Sequence, residues 1–110
     1  MKENIDGGYQ VSANTRDSPL SNSFKVASEI YHITEEEKQR VWYGKLAHTL
    51  SQIMSSSTVL NSINELINWG IVKVEYGPTE TGRAGRLLYI SGESKDAIKS
   101  VHETYWKDSR

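Results

Sequence analysis

The sequence predicts a mainly helical α+β fold with a two-stranded hairpin and a C-terminal helix. Helical apolar spacing dominates residues 23–69. After Gly70 the period switches to alternation, with "IVKVEY" and "RLLYI" flanking the turn-rich "GPTETGRAG", and a helical pattern returns from about Ser94. At 110 residues the chain has the length of one domain.

Composition narrows the classes. Without cysteine there is no disulfide framework, thiolate nucleophile or sulfur-ligated zinc. No run approaches the roughly 20 apolar residues of a membrane span, and the N-terminus lacks a signal peptide's apolar core, so a soluble cytoplasmic protein with no membrane partner is expected. Thirteen basic and fourteen acidic side chains give a net charge of -1, which argues against an indiscriminate polyanion binder. Acid gathers in "TEEE" at 34–37, whereas "GRAGRLLY" at 82–89 carries two arginines and no acid.

Residues 1–22, rich in Gly, Ser, Asn and Asp, read as a flexible arm, with the folded domain spanning 23–110. A first helix is expected from Ser23, where Phe24, Ala27, Ile30 and Tyr31 recur at helical spacing. Thr34 followed by Glu37 forms a capping-box signature, so a second helix is expected to begin there. Trp42, Leu46, Leu50 and Ile53 keep one face apolar across Gly44, "RVWY" being readable also as a short strand. Ser57 or a neighbour caps a third helix whose inward face is Val59, Ile63, Leu66 and Ile67 and which Gly70 ends. The hairpin follows with a nine-residue loop, then a last helix with Ala97, Ile98, Val101 and Tyr105 on one side.

This order, together with "STVLNSINELINWGIV", "WYGKLAHTL" and "TGRAGRLLYIS", resembles the winged helix-turn-helix regulators of the MarR and PadR kinds over about residues 24–106. The resemblance implies a DNA-binding homodimer whose third helix enters the major groove and whose hairpin is the wing. The presented set is then Ser56, Ser57, Thr58, Asn61, Ser62 and Asn64. Hydroxyls and amides can donate to phosphate, and Asn can pair bidentately with adenine, although the commonest guanine contact, from Arg, is missing. The same residues also suit an ordinary solvated helix face. Arg83 and Arg86 are wing candidates for a narrow minor groove, and Lys45 and Lys73 are phosphate candidates.

Two dimer surfaces are legible: Ile98, Val101 and Tyr105 on the last helix, or Leu60 and Ile67 on the third. The second choice resembles plasmid-partition adaptors of the TubR kind, which implies DNA segregation at repeated sites with a filament-forming or nucleotide-hydrolysing partner. A third possibility keeps the fold for protein contact alone. Trp42, Trp69, Trp106 and six tyrosines fit core and interface packing better than a pocket for a flat ligand.

No enzyme is expected. His32, His48 and His102 lie far apart without metal-ligand spacing, "GRAGR" lacks the Lys-Ser/Thr of a phosphate loop, and the acidic run suits helix capping. Neither cofactor nor metal is predicted.

Overall fold

The computed structural model describes residues 11, 18–79 and 82–109. Four α-helices and one antiparallel strand pair form a mainly helical α+β arrangement: α1 (Asn22–Tyr31), α2 (Tyr43–Thr49), α3 (Ser56–Asn68), β1 (Val72–Pro78), β2 (Ala84–Ile90) and α4 (Lys95–Tyr105). Most of the expected 1–22 arm lies outside the described residues. Within it, Val11 is buried and its N–H donates to the Thr49 carbonyl at 3.0 Å, while the Ser18 hydroxyl donates to the Tyr105 carbonyl at 3.1 Å.

Helix α1 is capped by Ser21, whose hydroxyl accepts from Phe24 N–H, and it buries Val26, Ala27, Ile30 and Tyr31. The expected helix start at Thr34 does not occur. The Thr34 hydroxyl instead donates back to the Ile30 carbonyl at 2.8 Å, and the chain runs on through a wide π turn, His32–Glu36, with Glu37 N–H on the His32 carbonyl. Ile33 keeps this turn anchored in the core, so the acidic run belongs to the end of the first helix rather than the start of a second. Lys38, at φ 57, then reverses the chain.

The segment before α2 is extended, and the Val41 carbonyl accepts from Leu88 N–H at 2.9 Å, which sets Val41 along the edge of β2 opposite β1. "RVWY" is therefore strand-like at this point, and α2 begins only at Tyr43, with Leu46 and then Leu50 directed into the core. Ser55 caps α3 by accepting from Thr58 N–H at 3.1 Å. At the other end Gly70 N–H reaches the Ile67 carbonyl and Ile71 N–H the Leu66 carbonyl, both at 3.0 Å, with Gly70 at φ 78. This pair of bonds is a Schellman closure, which demands the left-handed conformation that glycine adopts without steric cost.

The hairpin is longer and its loop shorter than the sequence suggests. Gly77 pairs with Gly85 and Pro78 with Ala84, so much of "GPTETGRAG" is strand. Val72 faces Ile90 and Val74 faces Leu88 on the core side. Tyr76 and Arg86 continue that same face outward, beyond the buried part of the sheet, where both are exposed. One cluster fills the interior: Val26, Ala27 and Ile30 of α1, Leu46 and Leu50, the Val59–Ile63–Leu66 stripe of α3, the base of the hairpin, and Ile98 and Trp106. Among the described residues no helix is long and apolar enough to cross a membrane.

Candidate functional site

Helix α3 divides cleanly. Val59, Ser62, Ile63 and Leu66 are buried, whereas Ser57, Asn61, Asn64 and Asn68 recur at i, i+4, i+7 and i+11 and form one exposed polar stripe. Its first turn is ordered by hydroxyls: Ser55 Oγ lies 3.2 Å from Ser57 Oγ and donates to Thr58 Oγ1 at 3.0 Å. Tyr43 adds a tie from α2, its hydroxyl donating to the Ser56 carbonyl at 3.3 Å. Ser56, Ser57, Asn61 and Asn64 are thus presented as expected, Thr58 is half-buried beside the cap, and Ser62 is not presented at all. Ser62 lies one helical step inward, at the floor of a cleft toward α1, and is only 5% exposed. Asn68, outside the expected set, completes the stripe; in sequence its nearness to Gly70 signals only a helix end.

On the α1 side of the stripe runs a cleft of about 360 Å³ lined by Asn22, Ser23, Asn61, Ser62, Glu65 and Trp69. The Ser23 hydroxyl donates to Glu65 Oε1 across it, so this carboxylate is partnered. Phe24 and Trp69 cover one end with ring centroids 6.2 Å apart. Leu60, 41% exposed, and half-buried Ile67 lie on the opposite flank of the stripe.

The hairpin carries three exposed cations. Lys73, Arg83 and Arg86 are exposed, and among the described residues none has an acidic partner within ion-pair distance. Arg86 stands directly across from Tyr76, which is 73% exposed, and together with Ala84 and Gly85 they frame a shallow hollow. Residues 80 and 81 of the loop tip lie outside the described residues. Lys45 does not join this set. It is buried, and its ammonium donates to Gln39 Oε1 and the Arg40 carbonyl, both at 3.1 Å, while lying 5.5 Å from the Trp42 ring centroid. Its position early in α2 matched the expectation; its neighbours turned the side chain inward.

The stripe expected on α4 is displaced. Ile98, His102 and Trp106, spaced by four, form the buried face, whereas Val101 is half-buried and Ala97 and Tyr105 are exposed. Ile98 is therefore core rather than interface, and Tyr105, 48% exposed, is the accessible apolar group at the helix end. The indole N–H of Trp106 donates to the buried Glu29 carboxyl at 2.9 Å, which fastens α4 to α1.

A second constellation was invisible in the sequence. The π turn and α4 bring His32, Glu36 and His102 together, with their donor atoms within 4.8 Å of one another. Glu36 Oε1 lies 2.8 Å from His32 Nδ1 and 3.1 Å from His102 Nε2, and His32 Nε2 lies 3.1 Å from Glu37 Oε2. The imidazole of His102 is fully buried between the Tyr31 and His32 rings, each 5.5 Å away by centroid, and its Nδ1 has no hydrogen-bond partner among the described residues. Burial pushes the His102 pKa below the ordinary histidine value, against the opposing pull of Glu36's hydrogen bond and charge, so the neutral ring is favoured. Burial would raise the Glu36 carboxyl, but hydrogen bonds from His102 and His32 outweigh it and hold the group below the usual carboxylate value. Tyr31 is raised, first by burial and then by the negative charges of Glu35, Glu36, Glu103 and Asp96. His48 is exposed and stands outside the cluster.

Comparison with models of known protein families, with curated proteins and with solved structures finds no match.

Proposed function

We propose that this protein binds specific duplex DNA as a winged helix homodimer, with transcriptional regulation as its role. The observation that carries the reading is the pairing of a polar, outward stripe on α3 with a protruding hairpin whose three cations have no acidic partners among the described residues. Supporting it is the chain order. A helix, a strand-like segment at Val41 on the edge of β2, a two-helix unit joined by a short turn, then a hairpin and a closing helix is the succession that a winged helix requires.

In this reading the first turn of α3 approaches the phosphates with its exposed hydroxyls and backbone N–H groups, where the helix dipole favours negative charge. Asn61 and Asn64 then face base edges. A bidentate Asn–adenine pair contributes roughly 1 to 3 kcal/mol of discrimination. Arg83 and Arg86 supply charge along the backbone or in the minor groove, and Tyr76 offers a flat apolar surface beside them. Fluorescence anisotropy with a selected duplex and scrambled controls tests the division of labour. Asn61→Ala is expected to reduce the ratio of specific to scrambled affinity about tenfold, and Arg83→Ala to weaken both by a similar factor. Equal, small effects from both substitutions would refute the groove assignment.

A second reading has one specific observation in its favour. Leu60, exposed beside the polar stripe with Ile67 behind it, offers a self-pairing surface along α3, the arrangement implied by resemblance to partition adaptors. Under it, the protein serves DNA segregation with a filament-forming or nucleotide-hydrolysing partner, and Leu60→Lys abolishes both dimer and cooperative binding to repeats.

A further inference from the structure

We propose that His32, Glu36 and His102 form a binding site for one divalent transition-metal ion of the zinc kind, clamping the end of α1 to α4. The inference does not depend on the DNA-binding reading.

Two imidazoles and a carboxylate are the donor set that zinc and its neighbours take, whereas magnesium and calcium prefer oxygen ligands throughout. Donors around a tetrahedral ion at about 2.0–2.1 Å stand about 3.3 Å from one another. Glu36 Oε1 already lies 2.8 Å from His32 Nδ1 and 3.1 Å from His102 Nε2, and the whole set spans no more than 4.8 Å. An ion entering among them replaces two hydrogen bonds with three coordinate bonds; it spreads the Glu36 carboxylate slightly from His32 and draws inward any donors that stand as far as 4.8 Å apart.

The surroundings fit a ligated state. If His32 binds through Nδ1, its Nε2–H remains directed at Glu37 Oε2, 3.1 Å away, which is the carboxylate–histidine support that fixes tautomer and ring orientation at metal sites. The His102 ring is held between Tyr31 and His32, so Nε2 needs no rotamer search to meet the ion. Glu35, Asp96 and Glu103 lie near enough to act electrostatically on neighbouring Tyr31, and they place further negative potential around the cluster, which Lys95, 3.3 Å from Glu35, offsets in part. With three protein ligands, one coordination position is left for water or an exogenous anion.

The consequence is mechanical. His32 and Glu36 belong to the π turn after α1, and His102 to the buried face of α4, so occupancy cross-links segments 66 residues apart in sequence. The test uses the full chain without a polyhistidine tag, zinc chloride alone, and three readouts: stoichiometry by calorimetric titration, the thermal midpoint, and the ligand-field spectrum of a cobalt(II) substitute. The expected result is one ion per chain, a midpoint raised by about 5 °C or more at a hundredfold excess over Kd, and a low-symmetry cobalt spectrum. His32→Ala abolishes binding. Glu36→Gln, which preserves shape and hydrogen-bond acceptance and so guards against simple misfolding, weakens it at least a hundredfold. Glu37→Gln, acting through His32, weakens it about tenfold or more, and His48→Ala leaves it unchanged. Absence of binding at about 100 μM zinc, or binding that survives both His32→Ala and Glu36→Gln, overturns the proposal.

Discussion

Trp106→Phe is the sharpest probe of how α4 is held. The indole is fully buried, caps the C-terminal end of α4, and donates its N–H at 2.9 Å to Glu29 in the last turn of α1. Phenylalanine removes that donor and about one ring of volume. Loss of a buried hydrogen bond to a carboxyl costs about 1.5–3 kcal/mol when the carboxyl is charged and about 1 kcal/mol when it is neutral. The void left by the smaller ring adds about 1 kcal/mol. The total, about 2–4 kcal/mol, is a large share of the 5–15 kcal/mol typical of a domain. With a urea slope of roughly 1 kcal/mol per molar for a small domain, the unfolding midpoint falls by about 2 M or more. Far-UV circular dichroism follows this directly, since it does not rely on tryptophan emission. A double-mutant cycle with Glu29→Ala separates the polar contact from packing, and a coupling of about 1 kcal/mol or more is expected. A midpoint shift below about 0.5 M, or no coupling, would refute the bond's role in fastening α4 to α1.

Further outcomes follow from particular residues. Gly70→Ala forces a side chain into the left-handed region at φ 78 and lowers stability by about 1–2 kcal/mol in urea unfolding, although nothing crowds the added methyl. Sedimentation of the wild type, Tyr105→Lys and Leu60→Lys tests the proposed dimer: dissociation by the first substitution places its contact on α4, by the second on α3, and a wild-type monomer, or a dimer indifferent to both, contradicts each surface. Removing everything after Gly92 is expected to unfold the protein instead of merely splitting a dimer, because Ile98, His102 and Trp106 leave the core, and loss of the cooperative thermal transition checks it. If the proposed dimer meets DNA through Lys73, Arg83 and Arg86, log affinity against log salt has a slope of magnitude about 5, and a slope near 10 would bring in other exposed cations such as Lys38, Arg40, Lys99 or Lys107.

Much of the architecture was legible because local signals coincide with tertiary demand. The alternation after Gly70, the Val59–Ile63–Leu66 spacing and the glycine stop each describe short-range geometry, and each element stands where they predict. Thr34 misled because a hydroxyl three residues before Glu can cap a new helix or bond back into an old one, and only the burial of Ile33 decides. On α4 the apolar pattern pointed to Val101 and Tyr105, whereas the core selects Ile98, His102 and Trp106. A histidine reads as polar in sequence, yet here it is packed between two tilted rings in the interior. Lys45 and Ser62 show the same limit at the candidate interface: helical phase identifies the outward face to within about one residue, and partners such as Gln39 or α1 settle the rest. The His32–Glu36–His102 grouping had no sequence signal, since two of its members meet across 66 residues.

The central claim, specific duplex DNA binding through α3 and the hairpin, is tested most directly by selecting bound fragments from random duplex DNA with the wild-type chain and with Asn61→Ala in parallel. Enrichment of a short motif as paired half-sites about one helical turn apart, or as a row of repeats, is predicted, with information lost at defined positions when Asn61 is replaced. Recovery of no motif from the wild-type protein, even at low salt, would contradict it.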